Sequence, residues 1–105
     1  MDVREAHRAA QAGEALLLDV REDDEWAHGR APDALHVPMG RIRADTLPRD
    51  RPILALCRMG GRSASITVAL EGVGYEVRNV AGGMQAWAAA GLPVVRDGDE
   101  PGVVV

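Results

Sequence analysis

The fold of this chain is restricted most by two short runs of apolar residues, ALLLDV at residues 15–20 and ILALC at residues 53–57. Each run has the length of a β-strand, and neither alternates apolar with polar residues as a strand with one solvent-facing side does. Strands of this kind are typical of parallel sheets that helices cover on both faces. The two runs therefore predict an α/β fold with a buried sheet.

Segments with helix-like patterns separate the predicted strands along the chain. Further strands are predicted at ALHVP, residues 34–38, and at EVRNV, residues 76–80. Helices are predicted from residue 4 to near Gly13 and in residues 22–29, 63–75 and 83–92, and one or two helical turns in residues 39–47. This alternation indicates a parallel sheet flanked by helices on both faces. An additional first edge strand would have to fit into Met1 to Val3.

The length of 105 residues suits one domain with one core. We assign residues 1–95 to that domain and residues 96–105 to a C-terminal tail without a fixed role in the core. The tail sequence, RDGDEPGVVV, carries no helical or strand pattern of its own.

Composition limits the classes of function. The net charge of −4 argues against a general affinity for nucleic acid, which needs clustered positive charge. No apolar run approaches the roughly 20 residues that a membrane span requires, and the charged N-terminus does not resemble a signal peptide. The single cysteine rules out an intramolecular disulfide and a cysteine-rich metal site. A cytoplasmic location, without nucleic-acid or membrane partners, is expected.

The single cysteine begins the segment CRMGGRS, residues 57–63, directly after a predicted buried strand. Ligands of parallel α/β sheets bind at the carboxyl ends of the strands. Glycines at positions 60 and 61 allow the loop to turn its backbone N–H groups inward, and a helix beginning near Ser63 adds its N-terminal dipole. Arg58 and Arg62 can add positive charge. These groups would lower the pKa of the Cys57 thiol and form an activated nucleophile within an anion-binding loop.

Several other polar side chains carry weaker signals. A Cys–His pair is less expected than surface roles for the three histidines, which are His7, His28 and His36. Three adjacent acids, Asp23, Asp24 and Glu25, are more typical of a solvated helix start than of a metal site. Asp19 and Arg21 are expected to fix loops at the sheet end through hydrogen bonds. Ser63 is either a helix cap or a substrate contact.

Four motifs, in this order, resemble the single-domain type of the rhodanese (thiosulfate sulfurtransferase) family. They are LLLDVRE at residues 16–22, EWAHGRAPDALHVP at residues 25–38, CRMGGRS at residues 57–63 and VAGGMQAW at residues 80–87. The first resembles the family's Asp-Val-Arg strand, the third its six-residue active-site loop and the fourth its closing Gly-Gly-x-x-x-Trp. The resemblance covers the chain from about Val3 to Pro93.

The resemblance implies a parallel five-stranded sheet flanked by helices on both faces, and a thiosulfate sulfurtransferase. Sulfane sulfur would pass from a small anionic donor such as thiosulfate, through a Cys57 persulfide, to cyanide, a thiol or a partner protein. The implied catalytic residue is Cys57, and the implied substrate-binding residues are Arg58, Met59, Gly60, Gly61, Arg62 and Ser63. The resemblance implies no metal and no organic cofactor, and we expect a monomer.

Three alternatives stay open on the sequence. A cysteine-dependent phosphatase or arsenate reductase would use a similar loop, but related folds with that activity have five residues between Cys and Arg, whereas four separate Cys57 from Arg62. A non-catalytic interaction module of the same fold often lacks the cysteine that this chain keeps. A persulfide carrier that serves one partner protein is indistinguishable, on the sequence, from an enzyme that acts on small molecules.

Overall fold

A computed structural model describes all of residues 1–105, in which α-helices and β-strands alternate. Their bounds are α1 Val3–Gln11, β1 Leu16–Asp19, α2 Asp23–His28, β2 Leu35–His36, β3 Ile53–Leu56, α3 Gly61–Glu71, β4 Val77–Asn79 and α4 Gly83–Ala89. Single 3₁₀ turns occupy Met39–Arg41, Ala44–Thr46 and Asp97–Asp99. None of the helices has both the length and the apolar character needed to cross a lipid bilayer.

The four strands form one parallel sheet in the order β2-β1-β3-β4. The two central strands are those predicted from the apolar runs, and they pair in register from Leu16 beside Ile53 to Asp19 beside Leu56. Every residue of both strands is buried. Their position in the centre of the sheet explains why these segments do not alternate between apolar and polar residues.

The predicted five-stranded sheet is wrong by one strand. Only Met1 lies beside the edge strand β4. Its amino group donates to the backbone carbonyl oxygen of Asn79 at 3.0 Å, and its own carbonyl oxygen accepts from the Ala81 N–H at 2.8 Å. The Asp2 side chain accepts a hydrogen bond from the Glu5 N–H and so caps α1, which begins at Val3. Because the helix starts there, one residue is left to pair with β4.

Each face of the sheet carries its own apolar cluster. On one face Leu17, Leu54 and Leu56 pack with residues of α1 and α4, among them the fully buried Trp87. On the other face Leu16, Leu18, Ile53 and Ala55 pack with Ile66 and Leu70 of α3 and with Tyr75. The two sets alternate along each strand because successive side chains point to opposite faces. The cysteine belongs to the cluster beneath α3.

A buried ion pair closes the carboxyl end of β1. The Asp19 carboxylate and the Arg21 side chain are both 0% exposed, and Arg21 Nη2 donates to Asp19 Oδ2 at 2.7 Å. The same nitrogen donates to the Gly29 carbonyl at 2.8 Å, which ties the end of α2 to the sheet. The prediction that these two residues fix loops at the sheet end is confirmed.

The C-terminal residues fold back onto the domain, although no fixed role in the core was expected for the tail. The Gly102 N–H donates to the Val94 oxygen and the Val103 N–H to the His28 oxygen, both at 2.9 Å, and Val104 packs against the cluster under α1 and α4. The backbones at Gly29 and Gly102 approach so closely that a Cβ on Gly29 would lie 2.3 Å from the Val103 oxygen. Two glycines far apart in sequence thus form the contact that holds the tail against the domain.

The substitution Gly29→Ala is expected to displace the tail without unfolding the sheet. The added methyl would overlap the Val103 backbone, and such overpacking costs about 1–3 kcal/mol. Urea unfolding should report this loss, and hydrogen exchange should show faster exchange at the Val103 amide. Gly40→Ala is the control, since a Cβ there meets no heavy atom within 4 Å. Equal stability of the two variants would contradict the prediction.

Candidate functional site

Cys57 lies where β3 ends and the loop leading to α3 begins, and its side chain is 1% exposed. Three hydrogen bonds reach its sulfur. The backbone N–H of Gly60 donates to Sγ at 3.0 Å, the N–H of Ser63 at 3.4 Å and the Ser63 hydroxyl at 3.2 Å. The sulfur therefore sits at the N-terminus of α3, where the helix dipole favours negative charge.

The loop is held in this shape by hydrogen bonds to two of its carbonyl groups. Two N–H groups in the first turn of α4 bind them: Met84 N donates to the Cys57 oxygen at 2.7 Å and Gln85 N donates to the Arg58 oxygen at 2.9 Å. Gly60, which precedes α3, has φ of +109°, a backbone conformation that side chains disfavour. Fixed carbonyls and this turn leave the N–H groups facing the sulfur.

Only one of the two loop glycines is required by the backbone. A side chain at Gly60 would be strained, whereas Gly61 is the first residue of α3, lacks a positive φ, and a Cβ there would meet no atom within 4 Å. The prediction that both glycines permit unusual conformations is thus right for Gly60 and wrong for Gly61.

Two opposing effects act on the Cys57 thiol. Burial of the sulfur raises its pKa, because the charged form loses solvation. Hydrogen bonds from the Ser63 hydroxyl and from the N–H groups of Ser63 and Gly60 lower it, and they outweigh the burial, so the pKa of Cys57 lies below the ordinary value for a thiol. The site favours a thiolate, which is the nucleophilic form of cysteine.

Both arginines expected near the sulfur line an open depression of about 290 Å³ together with Cys57, Met59 and Gly61. Arg62 is held by Glu25, to which its two terminal nitrogens donate at 2.6 and 2.8 Å. This pairing, the largest cause, lowers the pKa of Glu25 to about 2. Arg58 donates from Nε to the Val105 oxygen at 2.9 Å, so the tail reaches the loop. Each guanidinium is therefore already engaged by the protein.

Ser63 is not the helix cap that one sequence hypothesis proposed, because Gly60 occupies that position. Its buried hydroxyl lies instead between Cys57 Sγ and the side-chain oxygen of Asn79, to which it donates at 2.6 Å. Asn79 and Glu25 are site residues that the sequence analysis missed. A signal was present for Asn79, since it ends the strand that neighbours β3 and so shares the sheet edge with Cys57.

The histidines lie outside the hydrogen-bonding shell of Cys57. His7 packs edge-on against Trp87, His28 binds the Asp24 carbonyl, and His36 stacks on Trp26. Two of the three acids at the start of α2 are engaged by arginines, with Asp23 bound to Arg41 at 2.6 Å and Glu25 bound to Arg62 at 2.6 Å. Nowhere in the chain do three or more His, Cys, Asp or Glu side chains form a metal-binding group.

The substitution Ser63→Ala is expected to raise the pH at which Cys57 becomes reactive. It removes a hydrogen bond to the thiolate, worth about 1.4 kcal/mol, and the midpoint of alkylation against pH should rise by about one unit. The measurement is the rate of iodoacetamide modification across pH. Ser65→Ala, an exposed position on the same helix, is the matched control and should leave the midpoint unchanged. A shared midpoint for both variants would refute the assigned role of the hydroxyl.

The parallel sheet and the loop at its carboxyl edge, whose donors point at the Cys57 sulfur, define a class of α/β proteins with a cysteine set at the N-terminus of a helix. A protein-family model, described as the rhodanese-like domain, matches residues 2–90. The chain belongs to the rhodanese-like family, and the resemblance drawn from the four motifs is confirmed.

Relatives and solved structures agree with this assignment. A sulfurtransferase from Allochromatium vinosum is 42% identical over 93 residues, covering 86% of this chain and 87% of that protein. The thiosulfate sulfurtransferase GlpE from Actinobacillus succinogenes is 38% identical over 88 residues, covering 80% and 78%. The crystal structure of a rhodanese-related protein from Thermoplasma volcanium matches with a TM-score of 0.83 at 29% identity, covering 90% of this chain and 95% of that one. The family supports a general sulfurtransferase activity.

Proposed function

We propose that this protein transfers sulfane sulfur from thiosulfate or a related anionic donor to a thiophilic acceptor, through a persulfide on Cys57. The observation that carries the proposal is the environment of the sulfur. Three hydrogen bonds converge on Cys57 Sγ at the start of α3, and Cys57 lines a depression whose rim includes Arg58 and Arg62. A relative named thiosulfate sulfurtransferase, 38% identical, favours thiosulfate as the donor.

In the first displacement the Cys57 thiolate attacks the outer sulfur of thiosulfate. A bond forms between Sγ and that sulfur, the bond between the two sulfurs of thiosulfate breaks, and sulfite leaves with the bonding electron pair. Sγ becomes neutral, and the outer sulfur keeps the negative charge that it carried in thiosulfate. The N–H groups of the loop from Arg58 to Arg62, of which that of Gly60 already donates to Sγ, bind this charge.

In the second displacement a nucleophile such as cyanide, a thiol or a cysteine of a partner protein attacks the outer sulfur of the persulfide. The bond to Sγ breaks and its electron pair returns to Cys57 as the thiolate. The donors that lower the pKa of Cys57 make this thiolate a good leaving group, so the same three hydrogen bonds serve both steps. Neither displacement requires an external oxidant or reductant, or a metal ion.

The charges around the depression bear on which donor enters. Thiosulfate is a dianion, and Arg62 is the charged group of α3 nearest the reacting sulfur, although it is neutralised in part by Glu25. Met59 stands 62% exposed beside Arg58. We propose that Arg58 and Met59 set donor and acceptor preference, that the monomer is the active form, and that it works in the reducing cytoplasm, where the thiol stays free.

The experiment is intact-protein mass spectrometry after brief exposure to thiosulfate, with Cys57→Ser as the control. A gain of one sulfur atom that cyanide reverses, and that the control lacks, is the expected result. Transfer to cyanide at a high rate favours a small-molecule enzyme, whereas slow transfer to cyanide with fast transfer to one protein favours a carrier. Failure to take up sulfur from both thiosulfate and a polysulfide would overturn the proposal.

A further inference from the structure

Asn79, at the end of β4, binds both groups that hold the Cys57 sulfur. Its amide nitrogen donates to the Gly60 carbonyl at 3.1 Å, and its side-chain oxygen accepts from the Ser63 hydroxyl at 2.6 Å. The carbonyl can only accept, so it orients the Asn79 amide and leaves the oxygen facing Ser63. Asn79 does not itself hydrogen-bond to Sγ, and its influence on the sulfur must pass through Gly60 or Ser63.

The Ser63 hydroxyl has one proton and two acceptors within reach. Cys57 Sγ lies 3.2 Å from Ser63 Oγ, and the Asn79 oxygen lies 2.6 Å from it on the other side. A hydroxyl donates one hydrogen bond at a time, so the two acceptors compete for it. A thiolate is a strong acceptor, whereas the sulfur of a thiol and the inner sulfur of a persulfide are weak ones. The charge on Sγ therefore decides which acceptor binds the Ser63 hydroxyl.

We propose that Asn79 is a positioning residue that accepts the Ser63 hydroxyl while the Cys57 sulfur is uncharged and yields it when that sulfur becomes a thiolate. The hydroxyl rotates between the two acceptors and no proton is transferred. The persulfide half of this inference rests on the proposed function. There, Asn79 keeps the buried hydroxyl bonded in the persulfide state, in which negative charge lies on the outer sulfur, and the hydroxyl turns to Sγ as the acceptor attacks.

The charged groups around Cys57 leave this competition intact. Arg58 and Arg62 line the depression, and Arg62 is paired with Glu25 of α2 and also faces Glu22. None of the four contacts the Asn79 side chain through a hydrogen bond or ion pair, so replacing Asn79 leaves these charges in place. Any change in the titration of Cys57 then arises from Ser63 or from the Gly60 peptide.

The test is the pH dependence of iodoacetamide alkylation in Asn79→Leu, which has nearly the shape of asparagine without its acceptor. With one acceptor left, the Ser63 hydroxyl donates to the thiolate without competition. The alkylation midpoint should fall by about half a pH unit. At pH values below the midpoint, this fall raises the fraction of thiolate about threefold. In the Ser63→Ala background the same substitution should leave the midpoint unchanged. A merely structural role for Asn79 predicts the opposite sign, because a loosened loop loses hydrogen bonds to the thiolate.

Asn79→Asp supplies the opposite arm of the experiment and a second folded variant. The carboxylate is a stronger acceptor for Ser63 and should raise the midpoint, by more in the wild-type background than in Ser63→Ala, where only its charge acts. Circular dichroism verifies that each variant is folded. A raised or unchanged midpoint in folded Asn79→Leu would overturn the inference, and so would a fall that persists in the Ser63→Ala background. The inference also fails if Asn79→Asp raises the midpoint equally with and without the Ser63 hydroxyl.

A second readout connects this inference to sulfur transfer. Asn79→Leu should lower the fraction of Cys57 persulfide at equilibrium with fixed thiosulfate and sulfite by about threefold, since only the persulfide state loses an acceptor for Ser63. Alkylation needs no sulfur donor. If the alkylation midpoints move as expected but no variant takes up sulfur, the proposed function is rejected and the role of Asn79 is supported.

Discussion

Alanine at position 83 is expected to disable the cysteine loop, although residue 83 lies 26 positions beyond Cys57 in sequence. Gly83 has φ of +56°, and a Cβ there would lie 2.3 Å from the Cys57 oxygen and 2.7 Å from the Arg58 oxygen. The left-handed backbone costs about 1 kcal/mol for a residue with a side chain, and the overlap adds about 2 kcal/mol. The overlap also pushes on the two carbonyls whose fixed orientation turns the loop N–H groups toward the sulfur.

Two measurements separate the effects of Gly83→Ala. Urea unfolding should show a loss of about 3 kcal/mol. In the folded fraction, sulfur loading from thiosulfate should slow by about 100-fold, because misplacing a reacting group by about 1 Å has that effect. The control for stability is Gly61→Ala, where the Cβ has open space and the backbone is helical. A Gly83→Ala variant as stable and as reactive as the wild type would contradict the account of the loop.

The role of Gly83 shows what the sequence could not supply about the site. Cys57 could be placed from the sequence because its neighbours define the place: a buried strand before it and a helix after it. The contact between the start of α4 and the loop carbonyls joins segments separated in sequence, and no local pattern encodes it. The motif VAGGMQAW carried a family resemblance, but the sequence does not explain why its second glycine is needed. The packing of α4 against the loop carbonyls explains it, because they leave no room for a side chain at Gly83.

Long side chains near the sulfur were the least predictable part of the site. The sequence places Arg62 in the loop, yet the partner that fixes its guanidinium is Glu25, on a helix that packs nearby only in the folded chain. The same acid had been interpreted as part of a solvated helix start. Asn79 was missed for a related reason, since β4 was treated as a strand and its last residue was not placed beside the loop.

The sheet was predicted as far as local pattern determines it. β1 and β3 are unambiguous because a strand buried on both faces needs a continuous apolar run. The count of five strands came from the family resemblance, and the sequence offered only Met1 to Val3 for the extra edge strand. Capping of α1 by Asp2 leaves only Met1 to pair with β4. The position of the C-terminal tail depends on the close contact between Gly29 and Gly102, which no local sequence pattern predicts.

Removal of the Asp19 carboxylate by Asp19→Ala is expected to be the most destabilising polar substitution in the chain. Arg21 would remain 0% exposed with its charge uncompensated, since the carboxylate accepts from its Nε at 3.0 Å and its Nη2 at 2.7 Å. Breaking a buried ion pair from one side costs about 3–5 kcal/mol, a large share of the about 5–15 kcal/mol that stabilises a typical domain. Urea unfolding should show a correspondingly lower midpoint.

The matched control is Asp45→Ala, the same substitution in an exposed pair with Arg43, where the two charges lie 3.8 Å apart and both side chains are more than 70% exposed. Exposed pairs contribute about 0–1 kcal/mol, so this variant should unfold close to the wild type. The double variant Asp19→Ala with Arg21→Met removes the uncompensated charge and should recover part of the lost stability, because apolar replacements of buried ion pairs are often tolerated. If Asp19→Ala and Asp45→Ala unfolded at the same urea concentration, the buried pair would not be what fixes the carboxyl end of β1.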